Sequence, residues 1–230
     1  MNIMNIEHIS KIFGEKTIFD DASIGIQEGD KIGIVGINGT GKSTLLRMIA
    51  GDEVPDSGNI IRQNQLKLAW LPQEPKFPEN ATILSYAGDD ETGWKVQSNL
   101  SQLGIMDYSM PIDQLSGGQK RKVALSKVLA QDFDVLLLDE PTSGLDPVSR
   151  EELLEIFLRL AEEGVAILFS THITSDLEKC ADDITYIQKG EILATGPIGE
   201  FQQSYRLIRR QGGLTAEQQA AVLGRCREKA

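Results

Sequence analysis

Eight residues, Gly36-Ile37-Asn38-Gly39-Thr40-Gly41-Lys42-Ser43, constrain the fold of this chain more than any other stretch. They match G-x-x-x-x-G-K-[ST], in which glycines let successive backbone N–H groups converge on phosphate oxygens with no Cβ in the way. Such a loop needs a strand before it and a helix after it, because the helix N-terminus adds the positive end of its dipole. The flanking residues supply both. Residues 31–35 read as a short apolar strand, and residues 43–50 have helical spacing with Gly51 as a stop. Gly36, Asn38, Gly39, Thr40 and Gly41 form the expected cradle, Lys42 adds a mobile cation and Ser43 a hydroxyl suited to Mg²⁺. Thr44 is the last phosphate-binding position.

The rest of the chain supports an α/β architecture. Val135-Leu136-Leu137-Leu138 and Val165-Ala166-Ile167-Leu168-Phe169 are continuous apolar runs, as expected of parallel strands buried on both faces. Between them, residues 147–163 predict a helix with Pro147 at its first position and Gly164 closing it. Shorter strands are expected at residues 3–9, 22–27, 59–63 and 67–71. From residue 72 to 113 proline and acidic residues become frequent. A helical spacing of Trp94, Val96, Leu100 and Leu103 suggests a small helical lobe inserted into the core, followed by a long helix after Gly118. Thr215-Ala216-Glu217-Gln218 reads as a capping box that opens a terminal helix within a 211–230 tail.

The first apolar run ends in Asp139-Glu140, which can hold one carboxylate near a metal and aim the next at a water. Asp139 is the expected Mg²⁺-side group and Glu140 the expected base. A net charge of -11 argues against tight non-specific nucleic-acid binding, and no direct DNA binding is expected. The two cysteines, Cys180 and Cys226, form no metal-binding cluster and fit a reducing, cytoplasmic setting, with Cys180 read as a small buried hydrophobe. No apolar run is long enough to span a membrane, so a membrane role requires a partner.

Leu115-Ser116-Gly117-Gly118-Gln119 opens a helix with exposed amides, a second phosphate cradle. With it, the chain resembles the ATP-binding-cassette (ABC) ATPases over residues 3–200. The resemblance implies a P-loop NTPase core of ABC type within residues 1–210, with an N-terminal antiparallel β subdomain and a short helical subdomain inserted at about 74–130. It also implies ATP and Mg²⁺ as cofactors, and a head-to-tail dimer in which Ser116, Gly117, Gly118 and Gln119 close over ATP bound to a second copy or a homologous cassette. By the same resemblance, Gln73 links metal and γ-phosphate to the helical lobe, and Ser143-Gly144-Leu145-Asp146 is the loop that contacts the partner cassette. His172 is the switch histidine, and Phe13 takes the place of the aromatic that stacks on adenine or else belongs to the core.

The resemblance divides along the chain. Residues 1–142 read most like the ribosome-associated translation-factor subfamily, carried by Ile34–Gly41 and Gln114–Leu125. Residues 143–205 read like a transporter ATPase, carried by Ser143–Pro147, Ser170-Thr171-His172 and the Lys189-Gly190-Glu191-Ile192 hairpin. The expectations are therefore a motor subunit on the inner face of the membrane beside a separately encoded membrane protein, a ribosome partner, or a hybrid cassette with neither.

Overall fold

The computed structural model describes residues 1–88, 93–188 and 190–204. The expected helix at Thr215, the 211–230 tail, Cys226 and Lys189 lie outside them.

Strand β1 (Asn2–Phe13) pairs antiparallel with β2 (Lys16–Gln27) from Asn2↔Gln27 to Phe13↔Lys16, so the two short strands expected at 3–9 and 22–27 are one long hairpin. Polar residues in the middle masked its length in the sequence. Lys11 is nonetheless buried, because its ammonium reaches Glu53 at 2.7 Å, the Val54 carbonyl at 2.7 Å and Asp56 at 3.2 Å. Register shifts flank Ile9, close to His8 and Asp21, which have φ of 52° and 58°, and they bend the ribbon. β4 (Ser57–Arg62) completes this antiparallel sheet in the order β2-β1-β4.

The second sheet runs β5-β6-β7-β3-β8-β9, where β3 is Lys31–Val35, β5 Leu68–Leu71, β6 Val135–Asp139, β7 Ala166–Ser170, β8 Asp183–Gln188 and β9 Glu191–Pro197. Its first five strands are parallel and β9 is antiparallel to β8. Every residue of β6 and β7 is buried, which is why both read as unbroken apolar runs. One core lies between this sheet and the antiparallel one and includes α1 (Lys42–Ala50). A second covers the other face with α5 (Pro147–Glu162) and α6 (Thr174–Cys180). Cys180 belongs to this core, and burial pushes its thiol up to about 12. Helix α7 (Ile198–Ser204) follows β9.

The insert folds as α2 (Ile83–Ala87), α3 (Gly93–Gln102), a 3-10 turn (Ile112–Gln114) and α4 (Gly117–Val128) around a small core of its own. Val96, Leu100 and Leu103 are buried, but Trp94 is 67% exposed. The expected apolar face is corrected here: Trp94 is two residues before Val96, roughly 200° around the helix, whereas Val96, Leu100 and Leu103 share one side. Helix α4 serves two cores at once, with Val123 in the lobe and Ala124, Leu125 and Val128 on the main sheet.

Candidate functional site

The parallel strands bring the chemistry-bearing residues to one edge of the sheet. The phosphate loop leaves the C-terminal end of β3; Asp139 ends β6 and is followed by Glu140; Ser170 ends β7, which lies between them and leads into His172. Ligands of open α/β sheets bind along this edge. The loop turns directly into α1, whose N-cap, Gly41, has φ of 107°. A side chain there would be strained, and its Cβ would come within 2.7 Å of Ile18.

Within the loop, Thr40 donates to the Ile37 carbonyl at 2.9 Å, and Lys42 donates to the carbonyls of Gly36 and Ile37 at 2.9 and 3.4 Å. Lys42 and Thr44 are buried, Ser43 is half-buried in the first turn of α1, and Asn38 and Gly39 are exposed. The β1–β2 hairpin tip reaches this loop: Lys16 donates to the Gly39 carbonyl at 3.0 Å. Its pairing partner Phe13 is 43% exposed, with the Lys11 ammonium 5.1 Å from the ring centroid, so Phe13 is not a core side chain.

The carboxylate pair is tightly held. Asp139 Oδ1 accepts from the Ser170 hydroxyl at 2.6 Å, and the same hydroxyl accepts from the Glu140 N–H at 2.9 Å. Glu140 Oε2 lies 2.6 Å from His172 Nδ1; an ionised carboxylate only accepts, so Nδ1 carries the proton and donates. Thr142 donates to buried Asp176 of α6 at 2.6 Å, fixing the turn after Glu140 to the helix after His172. Asp146 caps α5, accepting from the N–H and hydroxyl of Ser149 at 3.0 and 2.6 Å, and these bonds lower its pKa to about 2.

One residue that sequence reasoning passed over joins these parts. Arg121 of α4 donates to the carbonyls of Gln73, Asp139 and Glu140. Burial lowers its pKa while the charges of Asp139 and Glu140 oppose the shift. A signal was present, since Arg121 precedes buried Ala124, Leu125 and Val128 by three, four and seven residues and so lies on their face. Gln73 is itself exposed, with its backbone drawn to the carboxylate pair through Arg121.

The Ser116–Gln119 turn lies elsewhere on the surface. Ser116 and Gln119 form a reciprocal capping box, and Gly118 packs so closely on Gly144 that a Cβ would sit 2.6 Å from its carbonyl. Helix α4 packs on β5, a strand that lies three positions, or about 14 Å at ordinary strand spacing, from β3. Thus the structure gathers the phosphate loop, Asp139, Glu140, His172 and the Gln73 backbone, and sets the second cradle apart.

Comparison with known proteins identifies the family. The family model described as ABC transporter matches residues 19–143, more than half of the chain. The uncharacterized ABC transporter ATP-binding protein YfmR of Bacillus subtilis is 32% identical over 84% of this chain, which spans 37% of that relative's length. The lantibiotic transport ATP-binding protein SrtF of Streptococcus pyogenes is 31% identical, with 83% of this chain and 89% of the relative covered. The hemin import ATP-binding protein HmuV of Thermobifida fusca is 30% identical, with 86% and 78% covered. Among solved structures, an ATP-binding subunit of an ABC transporter superposes with a TM-score of 0.79 at 23% identity, covering 88% of this chain and 92% of that one, a likeness of fold. The chain belongs to the ABC transporter family, as an ATP-binding domain with ATPase activity.

Proposed function

We propose that this chain is the motor domain of a transporter, hydrolysing ATP between two cassettes arranged head to tail. The observation that carries the reading is the 2.6 Å bond between Glu140 and His172, which follow the neighbouring strands β6 and β7, β7 lying beside the loop strand β3. In this reading Gly36–Thr44 hold the phosphates, Phe13 stacks on adenine beside Lys16, and Glu140 accepts the proton of the attacking water. His172 orients that carboxylate. The oxygen donors Ser43, Gln73 and Asp139 suit Mg²⁺, which is commonly held by one or two carboxylates together with substrate phosphates. Asp139 supplies such a carboxylate, anchored at Oδ1 by Ser170. When bound, the ion neutralises charge on the phosphates.

The second cradle opens a helix that packs on β5 rather than beside β3, and this placement supports a dimer. Ser116–Gln119, set apart from β3, are available to a nucleotide on a second copy, with Asp146 at the same junction. Among the described residues no helix is long and apolar enough to cross a membrane. In this reading a membrane protein carries the transported molecule and this domain acts on its cytoplasmic side. A ribosome-associated role is the second reading. It is favoured by the phrasing of residues 1–142 and by the shortness of the helical insert.

Glu140→Gln should bind Mg-ATP, hydrolyse it about 10²–10⁴-fold more slowly and elute as an ATP-dependent dimer in size-exclusion chromatography. Equal elution with and without bound nucleotide counts against the sandwich, and a wild-type rate counts against Glu140 as the base. Nucleotide-dependent co-sedimentation with membranes or with ribosomes separates the two cellular readings.

A further inference from the structure

Arg121 sits in the second turn of α4, 8% exposed, and it grips backbone rather than side chains. Nη1 donates to the carbonyls of Asp139 at 3.1 Å and Glu140 at 2.6 Å, and Nη2 donates to that of Gln73. Its planar fork fixes these directions relative to one another in a way an ammonium on a flexible stem cannot. At Glu140 the hold is two-sided: Arg121 takes the carbonyl, while the N–H donates to Ser170 Oγ at 2.9 Å. Between these bonds Glu140 keeps φ at 53°, a left-handed backbone that a glutamate seldom adopts.

We propose that Arg121 is a positioning residue that joins helix α4 and its Ser116 turn to the Glu140 backbone and to the Gln73 loop, so that the placement of α4 sets the aim of the hydrolytic carboxylate. The inference rests on the ATPase site assigned above. Because the acceptors are peptide carbonyls, a shift of α4 moves the Glu140 Cα itself rather than selecting another rotamer. The close approach of Gly118 to Gly144, just beyond Glu140, gives the helix a second fixed point on the same segment. A buried cation is costly to desolvate, and an apolar side chain of similar size would fill this space with less penalty. Helix packing alone therefore gives no reason for an arginine.

The test uses the full chain and the variants Arg121→Met, Arg121→Lys and Leu125→Ala, the last being a buried neighbour on α4 outside the site. Binding of trinitrophenyl-ATP and steady-state hydrolysis are measured well below each melting temperature. Arg121→Met should lower kcat by about 10–100-fold, as small misplacements of catalytic groups do, with KM and nucleotide affinity within about threefold. Arg121→Lys should fall between, and Leu125→Ala should lose stability but keep kcat. In a Glu140→Gln background, Arg121→Met should change the residual single-turnover rate by less than about twofold, because the carboxylate it aims is already gone. Should Arg121→Met not fold, Arg121→Gln, polar but with a single, shorter-reaching amide nitrogen that cannot span all three carbonyls, is read in the same way. A wild-type kcat in Arg121→Met, an equal loss in both backgrounds, or the same loss in Leu125→Ala overturns the inference. If Glu140→Gln binds trinitrophenyl-ATP and turns ATP over at the wild-type rate, the site assignment itself has failed and the inference falls with it.

Discussion

Ser170 has a single hydroxyl with two tasks, donating to Asp139 at 2.6 Å and accepting from the Glu140 N–H at 2.9 Å. It is fully buried, so water cannot replace it easily. Ser170→Ala should remove the donor from Asp139 Oδ1 and leave the Glu140 N–H only the longer bond to the Ser170 carbonyl at 3.2 Å. A buried group left without its partner costs about 1–3 kcal/mol, visible as a lower midpoint in urea, and hydrolysis should slow as well. An unchanged midpoint and rate would show that the network carries no weight. Ser170 and Arg121 were also the hard residues to read from sequence, for opposite reasons. The phosphate loop, Asp139-Glu140 and His172 are contiguous words whose chemistry depends on residue type. Ser170 looks like one more polar residue at a strand end, and Arg121, within Lys120-Arg121-Lys122, looks like part of a solvated basic run. Only the α-helical phase of Ala124, Leu125 and Val128 shows which of those three cations turns inward.

Helix α5 shows how one residue can serve an element and a site together. Asp146 caps it through Ser149, and Lys122 of α4 lies 3.6 Å from the same carboxylate. Its pKa falls from 3.8 unfolded to about 2 folded, led by the bonds from Ser149. A depressed carboxylate pKa means that the folded state holds the charged form more firmly, so this stabilisation is complete above pH 3.8 and lost as pH falls through about 2. Asp146→Ala should therefore melt at a lower temperature than wild type near neutral pH, with the gap closing between about pH 4 and about pH 2. Melts followed by circular dichroism across that range decide it; a gap independent of pH would assign the cap to geometry without charge. The stops and starts of α5 were readable because Pro147 and Gly164 bracket an apolar period. The β1–β2 hairpin and α2 were not: buried Lys11 breaks the alternation of β1, and a helix of five residues is too short to display a period.

At the scale of the molecule, the question raised by two resemblances meeting near residue 142 is whether the halves fold as one. Packing answers at the level of particular contacts. Strand β3, from the first part, lies between β7 and β8 from the second, and β6 pairs with β7 along its whole length. Ile32 and Leu45 share a core with Ala166, Leu168 and Ile187, while Leu136 and Leu138 share the other with Phe157 and Phe169, whose rings are 6.2 Å apart. Neither part has a core that closes without the other. Calorimetry of the full chain should therefore show one cooperative transition spanning both parts. Mg-ATP would touch Lys42 on one side and His172 on the other, so it should stabilise this unit by mass action, about 2.7 kcal/mol at a hundredfold excess over Kd. For a domain of this size that corresponds to a rise in melting temperature of roughly 5–10 °C. Two transitions, of which only one responds to nucleotide, would mean that the seam divides the core despite these contacts. A single transition that ignores saturating Mg-ATP would mean that strands carrying the right residues do not assemble a site that binds.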